Sequence, residues 1–152
     1  MKKKWLPLVG LIIVVAAGCR FSHSENRKGV EPSEDGEELL IAKKSLKFIE
    51  FSMHDSLKYV FNDEILKQSN SDQLDWLFEK GKSIMANNEY PNDSMITVST
   101  IIKKSISGEE TFKEFVFPFV NNENPDSTMY FKITIVDSEI HRLILSTGRR
   151  FK

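Results

Sequence analysis

Cysteine is almost missing from this chain. One residue, Cys19, in 152 excludes an intramolecular disulfide and any metal site built from paired thiolates, so the fold is held by packing alone. Histidine is nearly as scarce: His23, His54 and His141 are dispersed, and no two stand at helical spacing with a glutamate, as a zinc helix needs. No glycine-rich loop follows a strand pattern to cradle phosphate, and no serine sits in a nucleophile elbow, so neither a metal nor an organic cofactor is expected. An excess of positive charge is also lacking. Twenty-one Lys and Arg against 22 Asp and Glu give a net charge of -1, with none of the basic stripe that nucleic acid requires. Long apolar runs are absent too. The longest, Trp5 to Ala17, is broken only by Pro7 and Gly10 and covers 13 residues, short of the roughly 20 that carry a helix across the hydrocarbon.

That run nevertheless differs from everything after it. Lys2, Lys3 and Lys4 precede it, Leu11, Ile12, Ile13, Val14 and Val15 form its centre, and it closes on Ala16-Ala17-Gly18-Cys19. A positive start, a short apolar block and small residues are the parts of a secretion signal. Ending on cysteine, the segment resembles the lipobox of bacterial lipoproteins. The resemblance implies a signal peptide over residues 1–18, cleavage between Gly18 and Cys19, and a diacylglyceryl group on the Cys19 sulfur with further acylation, such as palmitate, at the freed amine. One acyl chain holds only marginally, whereas two or three give stable anchoring. The first partner expected is therefore the lipid bilayer, reached through acylated Cys19. Because Arg20 stands where enteric inner-membrane lipoproteins resemble one another in carrying Asp, the expected destination is the outer membrane or cell surface.

The expected mature chain, residues 19–152, loses three lysines and no acid, which leaves 18 basic against 22 acidic residues and a formal charge of -4. Its length suits one domain. From Arg20 to Gly36 the composition is polar and charged, with little to bury, so residues 19–36 read as a lipidated flexible tether. A single α+β domain is expected over 37–152. From Glu37, Leu39, Ala42, Leu46, Ile49 and Met53 form one helical stripe, while Leu40, Ile41, Phe48 and Phe51 form a second, which predicts a helix covered on two sides. Residues 55–68 predict one or two short helical pieces, with Asn62 as a cap. Ser69-Asn70-Ser71-Asp72 starts another helix, whose face carries Leu74, Leu77, Phe78, Gly81, Ile84 and Met85; the bare Gly81 predicts close approach of another element. Trp76 lies about opposite to that face. Burial against the first helix is its simpler account, and a ligand or partner contact is the alternative.

Beyond residue 93 the pattern alternates with period two. Ile96, Val98, Thr100 and Ile102 share one side. Phe115, Phe117 and Phe119 share another with Lys113, and Met129, Phe131, Ile133 and Ile135 a third. The last strand turns either Ile140 and Ile144 or Leu143 and Leu145 inward. Ser107-Gly108 and Asp137-Ser138 mark turns, and Pro118 belongs near a strand end. Four strands joined by short connections predict an antiparallel meander with the helices on one face. In the order of its elements over about residues 37 to 148 this α+β fold resembles the nuclear-transport-factor-like superfamily, a cone of helices on a curved four-stranded sheet; a cystatin-like arrangement, one helix wrapped by a curved sheet, is the near alternative.

The resemblance implies either acid-base chemistry inside the cone or non-catalytic binding, and fold alone does not choose. Ionisable candidates for chemistry are His54, Asp55, Tyr59, Asp63, Tyr130 and His141, for which capping, turn and solvent roles weigh more. Contact candidates for a ligand or partner are Trp76, Tyr59 and His54. The favoured expectation is a non-enzymatic accessory lipoprotein that binds a small apolar ligand or an envelope protein. An immunity or inhibitor lipoprotein against a secreted toxin or hydrolase is the second reading, and a small cone-fold isomerase or hydrolase the third.

Overall fold

Hydrophobic alternation over the last third of the chain builds an antiparallel sheet, and the helices ahead of it cover one side. The computed structural model describes residues 25–147. The signal segment, the Gly18–Cys19 junction, His23 and the basic end at Arg149, Arg150 and Lys152 lie outside the described residues. Strand β1 (Glu25–Gly29) is followed by helix α1 (Pro32–Glu50), a 3-10 turn (His54–Tyr59), helices α2 (Asp63–Gln68) and α3 (Ser71–Asn87), and strands β2 (Thr97–Ser105), β3 (Gly108–Phe119), β4 (Met129–Val136) and β5 (Glu139–Thr147). The sheet order is β1-β2-β3-β4-β5 with every pair antiparallel.

Two expectations need correction here. The sheet has five strands rather than four, and it is neither closed nor strongly curled, so it does not form the expected cone. The fold also starts earlier than composition suggested, because β1 and the first turns of α1 lie within the span read as tether. Strand β1 needs no apolar side chains to pair, since the ladder from Glu25↔Ile101 to Gly29↔Thr97 is made by the main chain. Helix α1 opens with Pro32 in its first turn, where the missing N–H costs nothing.

The start of α1 is held by a polar contact that hydropathy does not register. Asp35 is 2% exposed; its Oδ2 accepts from the Glu31 N–H at 3.0 Å and its Oδ1 lies 3.2 Å from Lys113 Nζ. Lys113 also reaches Glu38 Oε1 at 3.2 Å and donates to the Glu34 carbonyl at 2.9 Å. This explains a lysine sharing the face of three phenylalanines. It fastens the first turns of α1 to β3, and burying Asp35 is tolerable because the carboxylate is both paired and hydrogen-bonded. Burial lowers the Lys113 pKa, but the hydrogen bonds and charges of Asp35 and Glu38 outweigh it, so the ammonium stands above the ordinary lysine value.

Register places Val98, Phe115, Ile133 and Leu143 in one row across the helix-facing side, and Phe117, Phe131 and Leu145 in the next. Phe115, Phe117, Phe119, Phe131 and Ile133 are wholly buried. Strand β5 resolves its two alternatives through a bulge: Thr134 pairs with Arg142 but Ile135 with Ile140, which leaves His141 as the extra residue. Ile140 ahead of the bulge and Leu143 and Leu145 after it therefore all turn inward. The outer edge of β5 is partly covered, because the Ile140 N–H donates to the Val60 carbonyl at 2.7 Å and its carbonyl accepts from the Asn62 N–H at 3.0 Å.

Helix α1 lies against β3, β4 and β5 and against α3. Leu39, Ala42, Leu46 and Ile49 are buried as their spacing predicts, and Phe48 from the second stripe joins them. Leu40 and Phe51 instead remain 66% exposed, and Met53 is exposed as well; the second stripe is therefore only partly covered. Trp76, expected to be buried, is 44% exposed, since α1 meets α3 on the Gly81 face. The α3 start is as expected, with Asn70 accepting from the Gln73 N–H at 2.8 Å and the Gln73 side chain accepting from the Asn70 N–H at 3.2 Å, a complete capping box. Asn62 caps α2 by accepting from the Glu64 N–H.

Gly81 is where the two main helices and the sheet meet. A Cβ there would stand 2.6 Å from Ile49 Cγ2 and 3.4 Å from Phe131 Cζ, both fully buried side chains. Replacing Gly81 with Ala gains about 1 kcal/mol of helix propensity, but overpacking costs roughly 1–3 kcal/mol. The Gly81→Ala protein is expected to unfold at lower denaturant concentration than the parent with an unchanged slope, as measured by circular dichroism in urea.

Candidate functional site

The end of α1 sets up a hollow on the helical side. Phe51 closes the helix, and Ser52 takes the left-handed conformation with φ 54°. The Ser52 N–H donates to the Ile49 carbonyl at 3.1 Å and the Met53 N–H to the Phe48 carbonyl at 2.8 Å, the paired bonds of a Schellman stop with serine in the place glycine usually takes. The reversal brings His54 onto α3, where its ring stacks on Phe78 with centroids 3.7 Å apart and planes 12° from parallel. Asp75, Glu79 and Lys82 rise beside it at four- and three-residue spacing, on one flank of α3. Together with Ser52 these residues line a cavity of about 280 Å³.

His54 Nδ1 lies 3.7 Å from Asp75 Oδ1, and both side chains are well exposed. That separation is too long for a hydrogen bond, so the carboxylate does not fix the imidazole as it would in a nucleophilic triad, although Ser52 lines the same hollow. The flat ring with carboxylates and an ammonium around it can hold a polar or charged group from solution. Among the described residues, no group of three or more His, Cys, Asp and Glu is placed to hold a metal ion.

A second hollow, of about 350 Å³, lies between the end of α3 and the β3–β4 loop, lined by Asn87, Asn88, Glu89, Asn121, Asn122 and Glu123. Most of its amides serve the backbone. Asn87 and Asn88 donate to the Ser83 and Ile84 carbonyls, each at 2.7 Å, and Asn121 Oδ1 accepts from the Glu123 and Asn124 N–H groups. Such bonds end a helix and shape a loop. Tyr90, next in sequence, packs edge-on against Phe119 at 5.2 Å.

A third surface runs along the outward side of α1. Leu40, Lys44, Lys47 and Phe51 recur at spacings of four, three and four, and all four are exposed; they form a single stripe, apolar at both ends and basic between. Lys44 Nζ lies 5.8 Å from the centroid of the Phe48 ring.

The contact candidates named from sequence do not converge. His54 reaches the hollow. Trp76 stands two residues from Phe78, about 200° round the helix, and so leaves on another flank. Tyr59, at the end of the 3-10 turn, is 73% exposed and lies under Lys58 Nζ. Asp55 lies in that turn and Asp63 opens α2. Tyr130 pairs with Pro118 on the outer side of the sheet, and His141 occupies the β5 bulge. Ser52, Asp75, Glu79 and Lys82 were missed. The α3 trio was readable as a stripe at helical spacing, whereas Ser52 carried no signal, since only the left-handed turn places it.

Burial beside Phe119, with the negative charges of Glu50 and Asp93, pushes the Tyr90 hydroxyl up to about 12. A raised folded value means the stabilising difference is fully present below the ordinary tyrosine value of about 10 and is lost as pH rises through the folded one. Ultraviolet titration is expected to show a late tyrosine step that Tyr90→Phe removes, and stability to fall between those limits. The chain matches no family model, and no curated protein or solved structure is significantly similar to it.

Proposed function

We propose that this protein is an exported accessory lipoprotein, fastened to the bacterial outer membrane or cell surface by acyl chains on Cys19, whose folded part binds a neighbouring envelope protein without catalysing a reaction. The observation that carries the binding reading is the α1 stripe, where Leu40 and Phe51 stay two-thirds exposed on a helix whose other sides are filled. Two large apolar side chains about three turns apart on one outward stripe offer a partner two separate anchoring points. Lys44 and Lys47 between them favour an acidic partner.

The small-ligand alternative needs an apolar chamber, and the cone-enzyme alternative an ionisable group inside it as well. The helix–sheet interface is instead occupied by Phe115, Phe117, Phe119, Phe131 and their neighbours, which weighs toward surface binding. An immunity or inhibitor role is the same reading with a secreted toxin or hydrolase as the partner. Of the two fold likenesses, the cystatin-like one, a helix laid on a sheet, suits α1 on β3, β4 and β5 better than the cone does.

Intact mass of the purified protein is expected to show cleavage before Cys19 and the added mass of its acyl groups. The Cys19→Ser variant should leave the membrane fraction for the soluble one; unchanged sedimentation with membranes sinks the anchoring. The double variant Leu40→Ser/Phe51→Ser should keep the parent melting temperature while losing cross-links formed at α1 in intact cells. Equal cross-linking by parent and variant removes the stripe as the contact.

A further inference from the structure

We infer that the neighbour met by the α1 stripe is a second copy of this chain, related by a two-fold axis that lays each α1 on the other copy's α3; this rests on the surface-contact reading proposed above and names the partner it takes. The outward side of α3 supplies what the stripe lacks. Trp76 stays exposed there, with Asp72 one turn before it and Glu79 one turn after, both exposed; Lys80 lies on the other flank of the indole. Leu40, Lys44, Lys47 and Phe51 on α1 are the converse, apolar groups with lysines between. Among the described residues, none of Lys44, Lys47, Asp72 and Glu79 forms an ion pair. Each sign of charge is thus left without its opposite inside one copy.

Both stripes look the same way. Helix α1 lies on β3, β4 and β5, and Gly81 of α3 stands over the Phe131 ring of β4, so the two helices share one layer on one face of the sheet. On α1 the stripe is opposite Ala42, Leu46 and Ile49, and on α3 it is opposite Phe78, Gly81 and Ile84, the side chains that fill the core. The outer surface of the layer therefore carries a basic apolar stripe beside an acidic aromatic one. Such a surface complements itself when turned over: rotation about an axis midway between the helices and parallel to them sets α1 on α3 and α3 on α1 at once.

The heights along that axis agree. Ile49 meets Gly81 and His54 stacks on Phe78, so α1 and α3 run antiparallel. Counted in equal steps from the Ile49–Gly81 contact, Phe51 is level with Glu79 and Lys47 with Ser83. A two-fold rotation preserves these heights. Phe51 then comes within about 4.5 Å along the axis of Trp76 in the second copy, and Lys47 within about 6 Å of its Glu79, an offset that the flexible four-carbon lysine stem spans. The two aromatic side chains exclude water beside the ion pair, where the attraction is stronger. An unrelated acidic protein would cover α1 alone and leave Trp76 in water, whereas a second copy covers both.

The test expresses the full chain in one cell under two different tags and measures how much of one form is recovered with the other, together with cross-links formed from α1 in intact cells. The two forms are expected to be recovered together, with cross-links from α1 of one to α3 of the other. Lys47→Glu or Glu79→Lys, introduced in both forms, should lower that recovery about tenfold or more, and the two substitutions combined should restore it, all with the parent melting temperature because both side chains are exposed. Co-recovery that neither reversal moves, or a combined variant that stays apart, overturns the two-fold pairing. Cross-links from α1 to a different protein, with the tags recovered separately, overturn the second copy and leave the contact reading standing. No cross-link from α1 to any protein removes both.

Discussion

The structure turns on one absent side chain. At Gly81 the α3 backbone comes close enough for Ile49 of α1 and the Phe131 ring of β4 to fill the space a β-carbon would take. Because α1 seats this deeply, its first turns reach the Lys113 ammonium, and its last turn delivers His54 to the face of Phe78. A displaced α1 would lose the buried Asp35 pairing at one end and the ring stack at the other. Interiors pack to crystal-like density, so a shift at such a junction spreads rather than relaxing locally.

The sheet was readable wherever one face alone is buried. Val98, Phe115, Phe117, Phe131 and Ile133 each face the helices as their alternation dictates. Strand β5 was ambiguous because its pattern changes phase at the His141 bulge, and a period-two reading cannot contain an extra residue. Strand β1 and the start of α1 were invisible for a related reason. Their stabilisation comes from main-chain pairing and from Asp35 with Lys113, whereas hydropathy reports only apolar burial. The exposed Leu40 and Phe51 show the converse: periodicity marks which residues share a side, but not whether anything covers it.

Surface chemistry was harder to read than fold. His54 was singled out as a titratable group at a helix junction, yet its neighbours Ser52 and Asp75 come from a reversed turn and a distant helix. Trp76 drew notice because it lies off the apolar face of its helix and Tyr59 as an ionisable group near a helix junction, and neither lines the hollow. The proposed binding role therefore draws on α1.

The placement of β1 bears on how such a chain assembles. Strands β2 to β5 are joined by short connections and can pair with neighbours as soon as they are made, but Gly29 must find Thr97 across all three helices. Closing that long loop carries the largest entropic cost of any pairing in the sheet and belongs late in folding. For a protein secreted amino end first and fixed to lipid, as proposed here, the segment next to the anchor waits longest for its partner. Until β1 docks, the β2 edge of the nascent sheet lies open, so the order of synthesis and the order of assembly run in opposite directions.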